Sequence, residues 1–312
     1  MRILIIGLGS IAKTHISVLK SLYPNCVILA YRSSINTFNN IEGVLNIYSF
    51  EEVKDQLDFI IISNPSSLHG MSILDSLLFK VPIFIEKPVL SSLLHSENIL
   101  NIINKNNTIT YVACNLRFNP ALIFLKNLIS NNLINTINEV NIYCGSYLPD
   151  WRPNVDFKDS YSSHSNLGGG VDLDLIHEID YAIWLFGLPN SYSSFKSSSS
   201  TLEIESFDYA NYNLIYNNFT VNIKLNYYRR DKKREIEILT QNDTLLVDLN
   251  NSKISSLVSK SEIFSTDYNI YDTYLDQMKY FVESIESNMQ PMNSFEEGLE
   301  TLKIALNNEV KR

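Results

Sequence analysis

Residues 3–12 place the strongest constraint on how this chain folds. Ile3-Leu4-Ile5-Ile6 is a continuous apolar run, the pattern of a parallel strand covered on both faces. Gly7-Leu8-Gly9-Ser10-Ile11-Ala12 follows at once. Ile11, Val18, Leu19 and Leu22 then recur at helical spacing, with His15 the polar member of that face, and Pro24 stops the pattern. Strand, glycine turn and helix stand in the order of a phosphate-binding βα unit. Gly7 permits the tight turn, Gly9 lets a pyrophosphate reach the backbone, and Ala12 lets the helix pack closely on the strand. Ser10 and Ile11 open the helix, where N–H groups face an anion. After Met1-Arg2 the same run looks like a short signal peptide, with Ser10-Ile11-Ala12 mimicking a cleavage site. Gly7 and Gly9 interrupt it well short of the roughly 15–30 residues a signal needs, so a buried strand is expected.

The next strand, Cys26-Val27-Ile28-Leu29-Ala30, ends in Tyr31-Arg32-Ser33-Ser34. An acidic residue there would bind the ribose hydroxyls of NAD, whereas arginine accommodates a 2′-phosphate. Arg32 and Ser33 therefore favour NADP(H), with NAD(H) as the alternative; the plainer reading of Arg32 is a solvated residue at a strand end. Further strand-like runs lie at 59–62, 83–85 and 110–113, with helical patterns around 70–80 and 90–104. Alternation of this kind builds a doubly wound parallel sheet.

Composition narrows the class of partner. With 312 residues, 45% hydrophobic, two domains are expected. A net charge of −9 gives a polyanion no global attraction, so nucleic acid is not an expected partner. Three scattered cysteines, Cys26, Cys114 and Cys144, suggest neither a disulfide framework nor a thiolate metal site, as in a reducing cytoplasm. No apolar run approaches the roughly 18–20 residues of a membrane helix.

The second half reads differently. Phe219, Val221, Ile223, Leu225 and Tyr227 alternate with polar residues, the signature of a strand buried on one face. Strands are also expected at 140–143, 235–239 and 245–249, forming an open, mainly antiparallel sheet. After Gly168-Gly169-Gly170, helical spacing places Leu175, Ile179, Ala182, Ile183 and Phe186 on an apolar face. Asp174, His177, Asp180, Tyr181 and Trp184 gather opposite, lining a cleft or a satisfied polar network. Gly187 and Pro189 end the helix.

Four motifs then stand in order: the glycine turn, Asn64-Pro65 with His69, Glu86-Lys87-Pro88, and Asn115-Leu116-Arg117-Phe118. With the later stretch from Gly168 to Asp180, this set resembles the Gfo/Idh/MocA oxidoreductase family over nearly the whole chain. Tyr147-Leu148-Pro149-Asp150-Trp151-Arg152-Pro153 is similar to members from bacterial surface-glycan and nonulosonic-acid pathways. The resemblance implies an α/β Rossmann dinucleotide-binding domain at 1–117 and a substrate-binding α+β domain at 118–312, whose C-terminal helix can pack back on the first. It implies a cytoplasmic NAD(P)-dependent dehydrogenase or reductase of a sugar, nucleotide sugar or sugar acid, assembled as a dimer or tetramer. Gly7, Gly9, Ser10, Ile11, Arg32, Ser33, Asn64, Pro65, His69, Glu86 and Lys87 would bind the cofactor.

In the family the lysine of Glu-Lys-Pro meets an Asp/His pair at the nicotinamide, which here corresponds to Lys87, Asp174 and His177. His177 would move the carbinol proton, Lys87 would hold the reacting oxygen, and Asp174 would orient substrate or His177. Pro88 makes a cis bond accessible behind Lys87. Many members space the pair DxxxH; here it is DxxH, which leaves Asp172 as an alternative to Asp174. Arg117 is expected at substrate or cofactor, or else in an interdomain ion pair. Trp151 and Arg152 offer a stacking surface and an anion fork, or else a packed loop. Arg229-Arg230-Asp231-Lys232-Lys233-Arg234 reads as a solvated hairpin turn, or as a seat for a diphosphate or a neighbouring subunit. His95 and His164 read as surface residues, and no metal is expected. The competing functions are an NAD-assisted glycosidase and a non-catalytic dinucleotide sensor.

Overall fold

The computed structural model describes residues 1–33, 40–134 and 136–307. Ser34 lies outside the described residues. The chain divides into two units: Met1–Cys114 with Tyr274–Leu302, and Asn115–Thr273 with the residues from Lys303 on. The division falls three residues before the expected 117/118 boundary, and residues 274–302 join the first unit. Packing explains the return. Phe281 packs edge-on against Phe59 and Phe84, and the Asn293 side chain donates to the Val112 carbonyl at 2.8 Å while its own carbonyl accepts from the Val112 N–H.

In the first unit, strands β1 (Arg2–Ile6), β2 (Val27–Tyr31), β3 (Val44–Ile47), β4 (Phe59–Ile62), β5 (Ile83–Glu86) and β6 (Thr110–Ala113) form a parallel sheet. Their order is β3-β2-β1-β4-β5-β6, the doubly wound arrangement with its switch point beside β1. Helices α1 (Ser10–Leu22), α2 (His69–Leu77) and α3 (Ser96–Asn106) follow β1, β4 and β5. Ile3 to Ile6 and the whole of β4 and β5 are buried. Each such aliphatic side chain contributes about 1.5–3 kcal/mol relative to exposure. The short edge strand β3, with one buried residue, carries too little apolar pattern to be anticipated.

The second unit opens with α4 (Pro120–Ser130), where Pro120 takes the first turn and Asn119 Oδ1 accepts from the N–H groups of Ala121 and Leu122. Next come β7 (Ile137–Tyr147), α5 (Val171–Asp174), α6 (His177–Phe186), β8 (Ser191–Ser197), β9 (Tyr209–Ile215), β10 (Thr220–Asn226) and β11 (Tyr228–Thr240). Strands β12 (Thr244–Asp248), β13 (Lys253–Ser256) and β14 (Ser261–Ser265) complete the set. The order is β14-β13-β12-β11-β7-β10-β9-β8, antiparallel except for the β7/β10 pair. Two helices end the described chain, α7 (Ile270–Glu286) and α8 (Phe295–Leu306).

Two expectations are corrected here. The basic run 229–234 is not a hairpin turn, because β7 lies between β10 and β11 and the two are not hydrogen-bonded to each other. The run instead belongs to β11, where the register against β7 shifts between Tyr228↔Tyr147 and Lys233↔Gly145. The guanidinium of Arg229 lies over the Tyr143 ring and that of Arg230 over Tyr147. The helix after the glycines is likewise not continuous. It breaks at Leu175 (φ −100°, ψ 31°), between α5 and α6. Asp180 and Tyr181, placed by a single 100° rotation on a face expected to line a cleft or a satisfied polar network, are buried, whereas Ile183 and Phe186 are half-buried.

Candidate active site

In the first unit the expected cofactor residues sit at the carboxyl ends of β2, β1, β4 and β5, which are neighbours in that order. That edge of an open parallel sheet is where ligands bind. Gly7 has φ +90°, and a Cβ there would lie 2.6 Å from the backbone of Asn64. The turns after β1 and β4 thus touch, and the Ser63 hydroxyl donates to the Gly7 carbonyl at 3.3 Å. Gly9 differs: its φ is −78°, and among the described residues no atom beyond its chain neighbours lies within 4 Å of the place a Cβ would occupy. Nothing among the described residues requires glycine at residue 9. No side chain caps α1 either, so its first N–H groups and positive dipole end are available to an anion. These features fit the pyrophosphate of a dinucleotide. Arg32 follows β2, where its Nη1 lies 3.4 Å from Asn46 Oδ1; Ser33 and Pro65 are exposed.

Two residues expected at the cofactor, His69 and Glu86, turn inward. His69 is buried, with Nδ1 2.9 Å from the Pro88 carbonyl and Nε2 3.0 Å from the Asn64 carbonyl. It joins the turns after β4 and β5, and burial pushes its pKa down against the opposing effect of these carbonyls and Glu86. Glu86 is also buried: Oε1 lies 2.6 Å from Nε2 of His15, and Oε2 accepts from the Lys87 N–H at 3.2 Å. The Asn64 amide donates to Ser72 Oγ at 2.8 Å, while its Oδ1 is buried without a hydrogen-bond partner. Lys87 is half-buried at the end of β5, joined to Pro88 by a cis peptide bond. His15 was missed in the sequence; a histidine inside the apolar stripe of α1 was the available signal.

The second unit brings Asp174, Tyr227 and Trp151 together. The Tyr227 hydroxyl donates to Asp174 Oδ2 at 2.6 Å. The Trp151 ring stands edge-on to Tyr227 at 5.3 Å and its Nε1 donates to Ser146 Oγ at 2.9 Å, leaving the indole 38% exposed. Burial raises the Tyr227 pKa well above its ordinary value, aided by the Asp174 charge. Arg152 is exposed and His177, the first residue of α6, is half-buried.

Three acids near the helix break are committed elsewhere. Asp172 is buried and accepts from Lys196 Nζ at 2.8 Å, whereas Asp174 is half-buried. Glu178 pairs with Arg234 at 2.7 Å. Asp180 takes Nε and Nη2 of Arg117 at 2.9 and 2.8 Å. Arg117, expected at substrate or cofactor or else in an interdomain ion pair, makes a buried bidentate ion pair inside the second unit. Beside Glu178 and Arg234, burial pushes the Cys144 thiol up to about 12. Among the described residues no group of three or more His, Cys, Asp or Glu is placed to hold a metal, and no helix is long and apolar enough to cross a membrane.

Comparison with known proteins follows the same division. Residues 1–114 match the model of the oxidoreductase family with an NAD-binding Rossmann fold, GFO_IDH_MocA. Residues 123–246 match the GFO/IDH/MocA C-terminal domain. The uncharacterized oxidoreductase YrbE of Bacillus subtilis is 25% identical over 96% of this chain and 91% of its own. Among solved structures, UDP-N-acetylglucosamine 3-dehydrogenase GnnA from Acidithiobacillus ferrooxidans aligns at TM-score 0.78 with 16% identity, over 99% of this chain and 97% of that one. The WlbA dehydrogenase from Bordetella pertussis, in complex with NADH and UDP-GlcNAcA, aligns at TM-score 0.80 with 16% identity, over 97% and 92%. With its glycine cradle, parallel sheet and second open sheet, the chain belongs to the GFO/IDH/MocA family and is an NAD(P)-dependent oxidoreductase.

Proposed function

We propose that this oxidoreductase moves hydride between a nicotinamide cofactor and a carbinol carbon of a sugar, nucleotide sugar or sugar acid. The observation that carries the cofactor half is Gly9, a glycine that nothing among the described residues requires, at the uncapped start of α1. Gly7, Gly9, Ser10 and Ile11 hold the pyrophosphate, and Arg32 with Ser33 meets the 2′-phosphate of NADP(H). Asn64 and Pro65 line the cofactor from the turn after β4. The bound dinucleotide supplies the hydride acceptor or donor.

Lys87 binds the reacting oxygen and stabilises negative charge there. His177 takes the hydroxyl proton in oxidation and returns it in reduction, since imidazole titrates near neutral pH. Asp174, held by Tyr227, orients substrate or His177. The exposed indole of Trp151 stacks on a sugar ring, and Arg152 meets a carboxylate or phosphate. The names of GnnA and WlbA support nucleotide sugars as the class to try first.

The test is a fluorescence titration with NADPH and NADH, followed by absorbance assays at 340 nm with UDP-N-acetylglucosamine and its uronic acid. Saturable binding and substrate-dependent change in reduced cofactor are expected. Failure of both nucleotides to bind would overturn the cofactor half. Binding without turnover on any sugar would overturn the catalytic half.

A further inference from the structure

His15 is a polar residue in an apolar place. It lies on α1, fully buried, with its ring edge-on to Phe84 at 5.0 Å and to Tyr274 at 6.3 Å. Its Nδ1 is buried without a hydrogen-bond partner, and its Nε2 lies 2.6 Å from Glu86 Oε1. Were packing the only demand, an apolar residue between two aromatic rings would avoid the desolvation of a buried imidazole and carboxylate. The pair does something an apolar residue cannot. It fixes one Glu86 oxygen, so that the other receives the N–H of Lys87.

We propose that His15 is a positioning residue for Lys87, acting through Glu86. The bond joins α1, six residues into the chain from Gly9, to the strand end from which Lys87 departs. The same helix that receives the pyrophosphate thereby sets the seat of the lysine. Its importance for turnover rests on the function proposed above; the mechanical link does not.

Without the imidazole donor, the Glu86 carboxylate is left buried with a single N–H partner. Freed from His15, it turns to the ammonium of Lys87, whose N–H it already accepts, and suppresses that amine's reactivity. The experiment labels the full-length protein with trinitrobenzenesulfonate and maps the rate at Lys87 by mass spectrometry, with the exposed Lys13 and Lys80 as internal references. In His15→Phe the relative rate at Lys87 falls about tenfold. In His15→Gln, which keeps an N–H donor, it stays within about twofold of the original.

Should His15→Phe fail to fold, His15→Leu removes the same donor with a smaller apolar side chain. In either variant the Lys87 amide, its acceptor no longer fixed, exchanges hydrogen about tenfold faster. Unchanged labelling and unchanged exchange at Lys87, in whichever variant folds, would overturn the proposal and make His15 a packing residue only. A parallel NADPH titration separates the two readings. If the unaltered protein does not bind NADPH, the cofactor reading fails while the Lys87 result stands on its own.

Discussion

The hydroxyl of Tyr227 donates to Oδ2 of Asp174 across 2.6 Å, from a side chain with no exposure to solvent. Its carbonyl also accepts from the N–H of Leu148, at the start of the turn that carries Trp151. One tyrosine therefore organises two proposed substrate contacts. Tyr227→Phe keeps the ring and removes the donor. It is expected to cost about 1–2 kcal/mol in urea denaturation and to lower kcat/KM on the sugar about tenfold. Unaltered kinetics would detach Asp174 from substrate handling.

Gly7 and Gly9 separate fold from ligand. Gly7→Ala puts a Cβ against the Asn64 backbone at φ +90°, costing about 1–3 kcal/mol. Gly9→Ala meets open space at an ordinary φ, so its melting temperature should hold while NADPH affinity drops about tenfold or more. Melting curves and nucleotide titrations on both variants check the contrast. Equal nucleotide affinity in Gly9→Ala would remove that residue from the cofactor site.

Arg32→Ala should weaken NADPH about 10- to 100-fold, the worth of a charge-assisted phosphate contact, and leave NADH within about twofold. Competitive titration measures both. A variant that loses the two nucleotides equally would make Arg32 structural.

Lys196 and Asp172 form a buried pair in which burial raises the carboxyl pKa and Lys196 opposes the rise. Lys196→Met leaves the charge alone and should cost about 3–5 kcal/mol at neutral pH. The deficit should shrink on acidification, because protonation removes the buried charge. Adding Asp172→Asn should recover most of the loss, as thermal melts would show.

His69 sets a pH dependence. Its folded pKa lies below the ordinary 6.5, chiefly through burial, so on acidification the unfolded chain takes up the proton first. Stability from this residue is complete above about 6.5 and is lost as pH falls toward the folded value. Urea midpoints between pH 7.5 and 5 should fall less steeply in His69→Gln. An identical slope would show that other groups govern the acid limb.

Much of the scaffold was legible because its signals are local. The apolar runs of β1, β4, β5 and β6 and the alternation of β10 each report a period within one segment. The glycine turn was legible for the same reason, since strand, turn and helix are contiguous. Strand β8, Ser-Tyr-Ser-Ser-Phe-Lys-Ser, was not: its polar composition gives the period no contrast. The helix break at Leu175 was also hidden, because a helical wheel assumes an unbroken rotation.

By itself the sequence determined the phosphate-binding βα unit and the open sheet that follows, since these rest on short-range sterics and hydrophobic period, and its ordered motifs carried the resemblance to the family. Tertiary structure alone decided which polar groups are structural. Arg117 with Asp180 and His15 with Glu86 are 63 and 71 residues apart. Asp172 pairs with Lys196, and β7 enters between β10 and β11 to carry the basic run into a strand. A buried charge is tolerated only beside its partner, and which partner reaches it depends on register and strand order, which no local pattern encodes.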